Sequence, residues 1–240
     1  MNGRMDGKVV AVIGGGSGIG LRLAEQVVAL GGRVVLGGRT AEPLDAAVAR
    51  LGEAATARVV DAEDQGSVAG FFAGIAHLDH LFTPGSAYAY GRIDEISDAV
   101  AESPFRSKFW GQYWAVKHAL PKLARDGSIV LMSGAASVRP LAGAAAYAAC
   151  NAAVEGLGRA LALELAPIRV NVVSPGTVDS DLWRRRPAAQ REAAFAGYAG
   201  LAALGRVGAV DEVADAALFL MGNGFMTGST LYADGGYALR

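Results

Sequence analysis

The sequence predicts an α/β fold, one doubly wound parallel sheet with helices on both faces. Three observations carry that prediction. Short β-branched runs alternate with segments of helical apolar spacing along all 240 residues, the rhythm of βαβ units. Hydrophobic residues make up 52% and charged residues 19% of the chain, which supplies a large core and argues against disorder. A glycine-rich turn, Gly14-Gly15-Gly16-Ser17-Gly18-Ile19-Gly20, joins the first strand-like run to the first helical one. The length asks for no more than one domain, so residues 1–240 are read as a single unit.

The elements follow in order. Val9–Ile13 is a β-rich run. Residues 18–30 carry Ile19, Leu23, Val27 and Leu30 at helical spacing. A strand at 34–36 and a helix at 42–51 come next, then a strand at 58–60, a helix near 65–76 and a strand at 80–82. Residues 103–123 read as one long helix, 128–132 as a strand, 144–165 as a helix and 169–173 as a strand. A helix at 210–220 and a strand at 229–232 close the pattern. Residues 179–205, rich in Ala and Arg, fit neither period. A loop that long inside a compact domain is usually functional, so it is read as a substrate lid.

Composition excludes several roles. The net charge is −1, with no basic surplus for nucleic acid. Residues 1–8 hold no apolar stretch, so no signal peptide is expected. No apolar run approaches the roughly 18 residues of a membrane span. Cys150 is the only cysteine, which rules out an intrachain disulfide and a cysteine metal cluster and fits a cytoplasmic location. His77, His80 and His118 lack zinc spacing, so no metal is expected. Cys150 lies on a helix expected to be buried, where packing is its natural role.

The glycine turn sits between a strand and a helix. Its glycines let backbone N–H groups approach a pyrophosphate, and the helix N-terminus faces that negative charge. The expected contacts are Gly14, Gly16, Ser17, Gly18, Ile19 and Gly20, in a Rossmann-type arrangement. The second strand ends Leu36-Gly37-Gly38-Arg39-Thr40. A fold that binds NAD usually places a carboxylate there for the ribose hydroxyls; here Arg39 follows, whose guanidinium matches a 2′-phosphate. NADP(H) is therefore expected over NAD(H), with Arg39 and Thr40 at the phosphate. Asp61, just after the third strand, is a candidate acceptor for the adenine amino group, against an ordinary loop carboxylate.

Further stretches resemble the classical short-chain dehydrogenase/reductases. The spacing Gly14-x-x-x-Gly18-Ile19-Gly20 is similar to that family's glycine motif. Asn171-Val-Val-Ser-Pro175-Gly176 resembles its segment after the sixth strand. Arg206-Val-Gly, Asp211-Glu-Val-Ala, Thr227-Gly and Asp234-Gly-Gly resemble its C-terminal pattern. The resemblance spans almost the whole chain. It implies reversible hydride transfer between a nicotinamide and a small carbonyl or alcohol. It places Pro175, Gly176 and Val178 beside the nicotinamide and Ser180 near the phosphates, and it implies a homodimer or homotetramer.

The family's active site is a Tyr, a Lys four residues later, a Ser thirteen before the Tyr, and an Asn on the preceding long helix. Tyr147 stands at the Tyr position. The Lys position holds Asn151, the Ser position holds Gly134 with Ser133 beside it, and the Asn position holds Lys108. Ile13 replaces a Thr, and Thr83-Pro84-Gly85-Ser86 replaces Asn-Asn-Ala-Gly. The Lys and Asn residue types are thus exchanged. A phenol that works as acid and base near neutral pH benefits from a nearby cation. Lys108 is expected to supply it to Tyr147, and Asn151 to hold the ribose. Ser133 or Ser137 is expected to polarise the substrate carbonyl, although adjacent strand residues face opposite sides. Tyr88 and Tyr90 are candidates for a phenol toward the substrate, against simple packing over the loop. Phe105, Phe109 and Tyr113, with Trp110 and Trp114, form an aromatic helix face read as core or subunit interface. Arg184-Arg185-Arg186 is read as a solvated charge run, with an anionic substrate as the alternative. The altered signature also admits a non-catalytic NADP-binding sensor or partner, and a non-redox enzyme on the same fold.

Overall fold

The computed structural model describes residues 5–84, 88–184 and 186–239. The strands are β1 (Val9–Ile13), β2 (Arg33–Gly38), β3 (Ala55–Val59), β4 (Leu78–Thr83), β5 (Leu123–Met132), β6 (Arg169–Pro175), β7 (Val178–Asp179), β8 (Gly208–Ala209) and β9 (Thr230–Ala233). Seven of them form one parallel sheet in the order β3-β2-β1-β4-β5-β6-β9, and β7 pairs with β8. The order reverses between β1 and β4, which opens a crevice at the carboxyl ends of the strands.

Alternation along the strands decides which face each side chain covers. Val10, Val12, Val130, Met132 and Val173 pack on one side with α1 (Gly18–Ala29), α2 (Ala41–Leu51) and α9 (Val210–Gly222). Ala11, Ile13, Ile129, Leu131 and Val172 pack on the other with α3 (Gln65–Ala73), α5 (Gly111–Ala119) and α6 (Ala145–Glu164). Asp64 starts α3 by accepting from the Gly66 and Ser67 amides. Among the described residues no helix is long and apolar enough to cross a membrane.

Three elements differ from the sequence reading. The long helix begins earlier, as α4 (Asp98–Pro104), and its ladder widens into a π-helical turn at Phe105–Trp110 before α5. β3 lies at the sheet edge and begins at Ala55; its outer residues are exposed, Val59 by 58%, so hydrophobicity marked it poorly. The 179–205 segment is not one loop. It holds β7, α7 (Asp181–Arg184) and α8 (Ala188–Leu201). No residue of α8 is buried, so no apolar stripe announced it. Its alanines favour helix by propensity.

Candidate active site

A cleft of about 360 Å³ lies at the carboxyl ends of β1, β2, β5 and β6. β1 delivers the chain to Gly14, whose φ of 103° suits glycine. Gly14 and Gly15 amides donate to the Gly37 carbonyl at 2.7 and 3.0 Å, tying the turn to β2. Gly20 lets α1 close on the turn, because a Cβ there would stand 2.2 Å from the Gly14 carbonyl oxygen. The Gly18 amide, at the N-terminus of α1, donates to Asp181 Oδ2 at 3.0 Å. An anionic oxygen therefore already sits where a phosphate is expected.

Gly14, Ser17, Gly18, Ile19, Gly20 and Arg39 line this end of the cleft, and Pro175, Gly176, Val178 and Ser180 line its opposite wall. Arg39 is exposed and makes no ion pair among the described residues. Three predicted contacts lie elsewhere. Gly16 backs onto Pro43, 3.3 Å from where its Cβ would be. Thr40 is an exposed residue at the start of α2. Asp61 is exposed and its carboxylate accepts from the Glu63 amide at 3.0 Å, closing a turn. The side-chain-free cradle, the amide holding a carboxylate and the unpaired guanidinium fit a phosphate-bearing dinucleotide.

The reacting end is built from α6 and the π turn. Tyr147, Asn151 and Glu155 recur every four residues on one stripe of α6. The π turn carries Lys108 inward, where it is 1% exposed. Its Nζ donates to the Ser133 carbonyl at 2.8 Å and to Asn151 Oδ1 at 2.6 Å, and lies 5.3 Å from the centre of the Tyr147 ring. Lys108 and Tyr147 are thus brought together. Tyr147 lines the cleft, and its hydroxyl has no hydrogen-bond partner among the described residues.

Two expectations are corrected. Asn151 does not face the cleft as a ribose contact. It is fully buried, its oxygen accepts from Lys108, and its Nδ2 donates to the Tyr147 carbonyl at 2.9 Å. Ser133 does not reach a substrate carbonyl. The strand alternation points its hydroxyl inward, to Glu155 Oε1 and the Asn151 carbonyl, both at 3.0 Å. Ser137 turns to Glu155 as well, at 2.5 Å. Gly134 is the cleft residue at that strand end.

Glu155 escaped the sequence reading, although its place four residues after Asn151 was a usable signal. It gathers the hydroxyls of Ser133, Ser137, Ser174 and Tyr232, and so fixes the strand end whose carbonyl holds Lys108. Cys150 is buried with Sγ on the Pro104 carbonyl, and burial pushes its thiol up. It packs, as expected.

Tyr88 lines the cleft with its ring 4.7 Å from that of Tyr147; burial, with the Tyr198 hydroxyl beside it, pushes its phenol up. Tyr90 is 60% exposed and covers Gly143. Gly85, Ser86 and Arg185 lie outside the described residues. Arg184 pairs with Asp179 and Asp181, and Arg186 stacks 4.4 Å over Trp183. In the aromatic helix face, Phe109 and Trp114 pack against the core while Trp110 and Tyr113 are 44% and 39% exposed. None of the four lines the cleft.

A family model described as enoyl-(acyl carrier protein) reductase matches residues 14–238. The chain belongs to the short-chain dehydrogenase/reductase family. Galactitol 2-dehydrogenase (L-tagatose-forming) of Cereibacter sphaeroides is 33% identical over 98% of this chain and 97% of its own. A small-chain dehydrogenase solved in complex with NADPH is 33% identical, covers 98% of this chain and 100% of its own, and superposes with a TM-score of 0.82. MalC reductase/Diels-Alderase from Malbranchea aurantiaca is 25% identical over 99% of this chain and 98% of its own, with a TM-score of 0.90. The protein is an oxidoreductase of the short-chain type.

Proposed function

We propose that this short-chain oxidoreductase uses NADP(H) in preference to NAD(H) and interconverts a small carbonyl compound and its alcohol, with Tyr147 as proton donor and Lys108 as its electrostatic support. The observation that carries the reading is the Lys108 ammonium, buried 5.3 Å from the ring of a cleft tyrosine whose hydroxyl has no partner among the described residues. When bound, the nicotinamide supplies or accepts the hydride. Tyr147 passes a proton between its phenol and the substrate oxygen, and the adjacent ammonium stabilises the phenolate that forms. Asn151 is a positioning residue: its oxygen, with the Ser133 carbonyl, aims Lys108 at the ring. Arg39 favours the 2′-phosphate, in keeping with the NADPH complex of the similar dehydrogenase.

In this reading residues 1–240 act as one unit, with 179–205 as the lid. The protein works in the cytoplasm as a homodimer or homotetramer, and the exposed Trp110 and Tyr113 are the first surface to examine for contacts between copies. The test titrates NADPH and NADH by fluorescence and follows nicotinamide absorbance with ketones, aldehydes and quinones. Turnover that Tyr147→Phe abolishes supports the reading; tight NADPH binding with no product from any class counts against it.

Gly134 favours a second reading. It leaves no side-chain hydroxyl at the end of β5 to polarise a carbonyl, and MalC, of the same fold, is described as both reductase and Diels-Alderase. A non-redox reaction of that kind would consume substrate with no change in nicotinamide absorbance.

A further inference from the structure

Beyond Tyr147 the cleft is walled by rings from four separate elements. Tyr88 comes from the segment between β4 and α4, Tyr147 from α6, Trp183 from α7 and Tyr198 from α8. The Tyr88 and Tyr147 rings are 4.7 Å apart and tilted by 58°. Trp183 stands 5.8 Å from Tyr198 at 69°, and 5.3 Å from Phe195. These are the tilted and edge-to-face separations that aromatic groups favour. Two of the rings stand on α7 and α8, the helices of the lid segment.

The hydroxyls at this end are largely spoken for, and the one cation beside the rings among the described lining residues, Arg186, lies 4.4 Å over the Trp183 ring. The Tyr237 hydroxyl donates to the Arg139 carbonyl at 2.9 Å. The Tyr88 and Tyr198 hydroxyls face each other at 3.4 Å. Ser133 and Ser137 are turned to Glu155. Met132, Leu141 and Ala144 complete the lining around Gly134. Tyr147 alone offers an unpaired hydroxyl there among the described residues. A polyhydroxylated substrate would bury several hydroxyls without partners there. A flat apolar body with one oxygen would not.

We infer that the substrate is an aryl ketone or aryl carbinol: a planar aromatic ring seated among Tyr88, Trp183 and Tyr198, with its single oxygen on Tyr147. The inference rests on the hydride-transfer reading for the reacting oxygen, and on the ring wall for the rest of the molecule. Since each well-placed aromatic pair contributes about 0.5–1.5 kcal/mol beyond area burial, an aryl ligand should bind roughly tenfold more tightly than a saturated ring of the same size.

The experiment is calorimetric titration of the coenzyme-loaded protein with acetophenone, cyclohexyl methyl ketone and a hexitol, beside a turnover assay that supplies NADPH for the two ketones and NADP+ for the hexitol. Acetophenone should bind about tenfold more tightly than cyclohexyl methyl ketone, and the hexitol should give no heat. Trp183→Ala and Tyr198→Ala should each weaken acetophenone by several-fold, whereas Tyr198→Phe, which keeps the ring, should not. Circular dichroism of the alanine variants separates lost binding from lost fold. Equal affinity for the two ketones, tighter binding of the hexitol, or acetophenone binding unmoved in Trp183→Ala and Tyr198→Ala would each overturn the aromatic site. Acetophenone binding without coenzyme oxidation would instead overturn hydride transfer and leave the aromatic site standing. Tyr147-dependent turnover of the hexitol alone would do the reverse.

Discussion

Replacing Lys108 by methionine keeps an unbranched apolar stem, one atom shorter, and removes the charge and the donors. The ammonium lies 5.3 Å from the centre of the Tyr147 ring. Taking that ring-centre distance as the charge separation, an effective dielectric near 20 gives a phenolate about 3 kcal/mol of stabilisation. A tenfold change in rate corresponds to ~1.4 kcal/mol, so Lys108→Met should lower kcat by about a hundredfold. The same change strips a donor from two buried acceptors, the Ser133 carbonyl and Asn151 Oδ1, at ~1–3 kcal/mol each. For a chain of this size that lowers Tm by roughly 5–15 °C. The assay is therefore a double-mutant cycle well below the lower Tm, with Tyr147→Phe as the second change. If Lys108 acts through the phenol, its replacement should cost almost nothing once the phenol is gone. Equal losses with and without the Tyr147→Phe change, or unchanged kcat in Lys108→Met, would refute the electrostatic role and leave Lys108 as a structural residue.

The remaining predictions are independent of that cycle. Arg39→Ala should raise the Kd for NADPH about tenfold or more and leave that for NADH nearly unchanged, by fluorescence titration; equal loss for both coenzymes would place Arg39 away from the 2′-phosphate. Gly134→Ser keeps an extended backbone that any residue adopts, but its Cβ would stand 3.3 Å from Asn151 Oδ1, so that buried amide must give by a few tenths of an ångström. It should raise kcat/KM for carbonyl reduction by about tenfold through one added hydrogen bond, and a fall would show that the bare strand end is needed. Gly20→Ala should abolish coenzyme binding, as its methyl group would overlap the Gly14 carbonyl; calorimetry that finds normal affinity would contradict the close packing of the turn. His80 is held down to about 4 by burial, against the opposing pull of Asp79. The unfolded chain, titrating near 6.5, takes up that proton first. Stability should therefore fall as pH drops from 6.5 to 4, by about 3 kcal/mol. Urea midpoints measured across that window should decline less steeply in His80→Asn, and parallel curves would assign the acid sensitivity to other groups.

The parts of the site legible in the sequence are those written in local chain geometry. The turn from Gly14 to Gly20 could be read because strand, glycines and helix are contiguous, and the missing carboxylate at Arg39 because it follows β2 directly. The stripe of α6 was equally visible at four-residue spacing, even though Glu155 was overlooked on it. Strand alternation, a local feature, already turned Ser133 away from the cleft, but its partner was not local: Glu155 lies 22 residues away. α8 was missed for a related reason, since a helix that buries no residue carries no period for the eye to find.

Periodicity and glycine placement, which depend only on backbone sterics and on which residues avoid water, determined the doubly wound sheet and the glycine turn at the end of β1. The tertiary structure alone decided the side-chain arrangement at the other end of the cleft. Only helix packing on one face of the sheet could carry Lys108 from a π turn to within 5.3 Å of the Tyr147 ring, use Asn151 to hold it there, and gather rings from separate segments around the Tyr147 hydroxyl. Lys108 and Asn151 are 43 positions apart in the chain, and Tyr88 and Tyr198 are 110 apart. A chain's sequence specifies such contacts only through the fold it adopts.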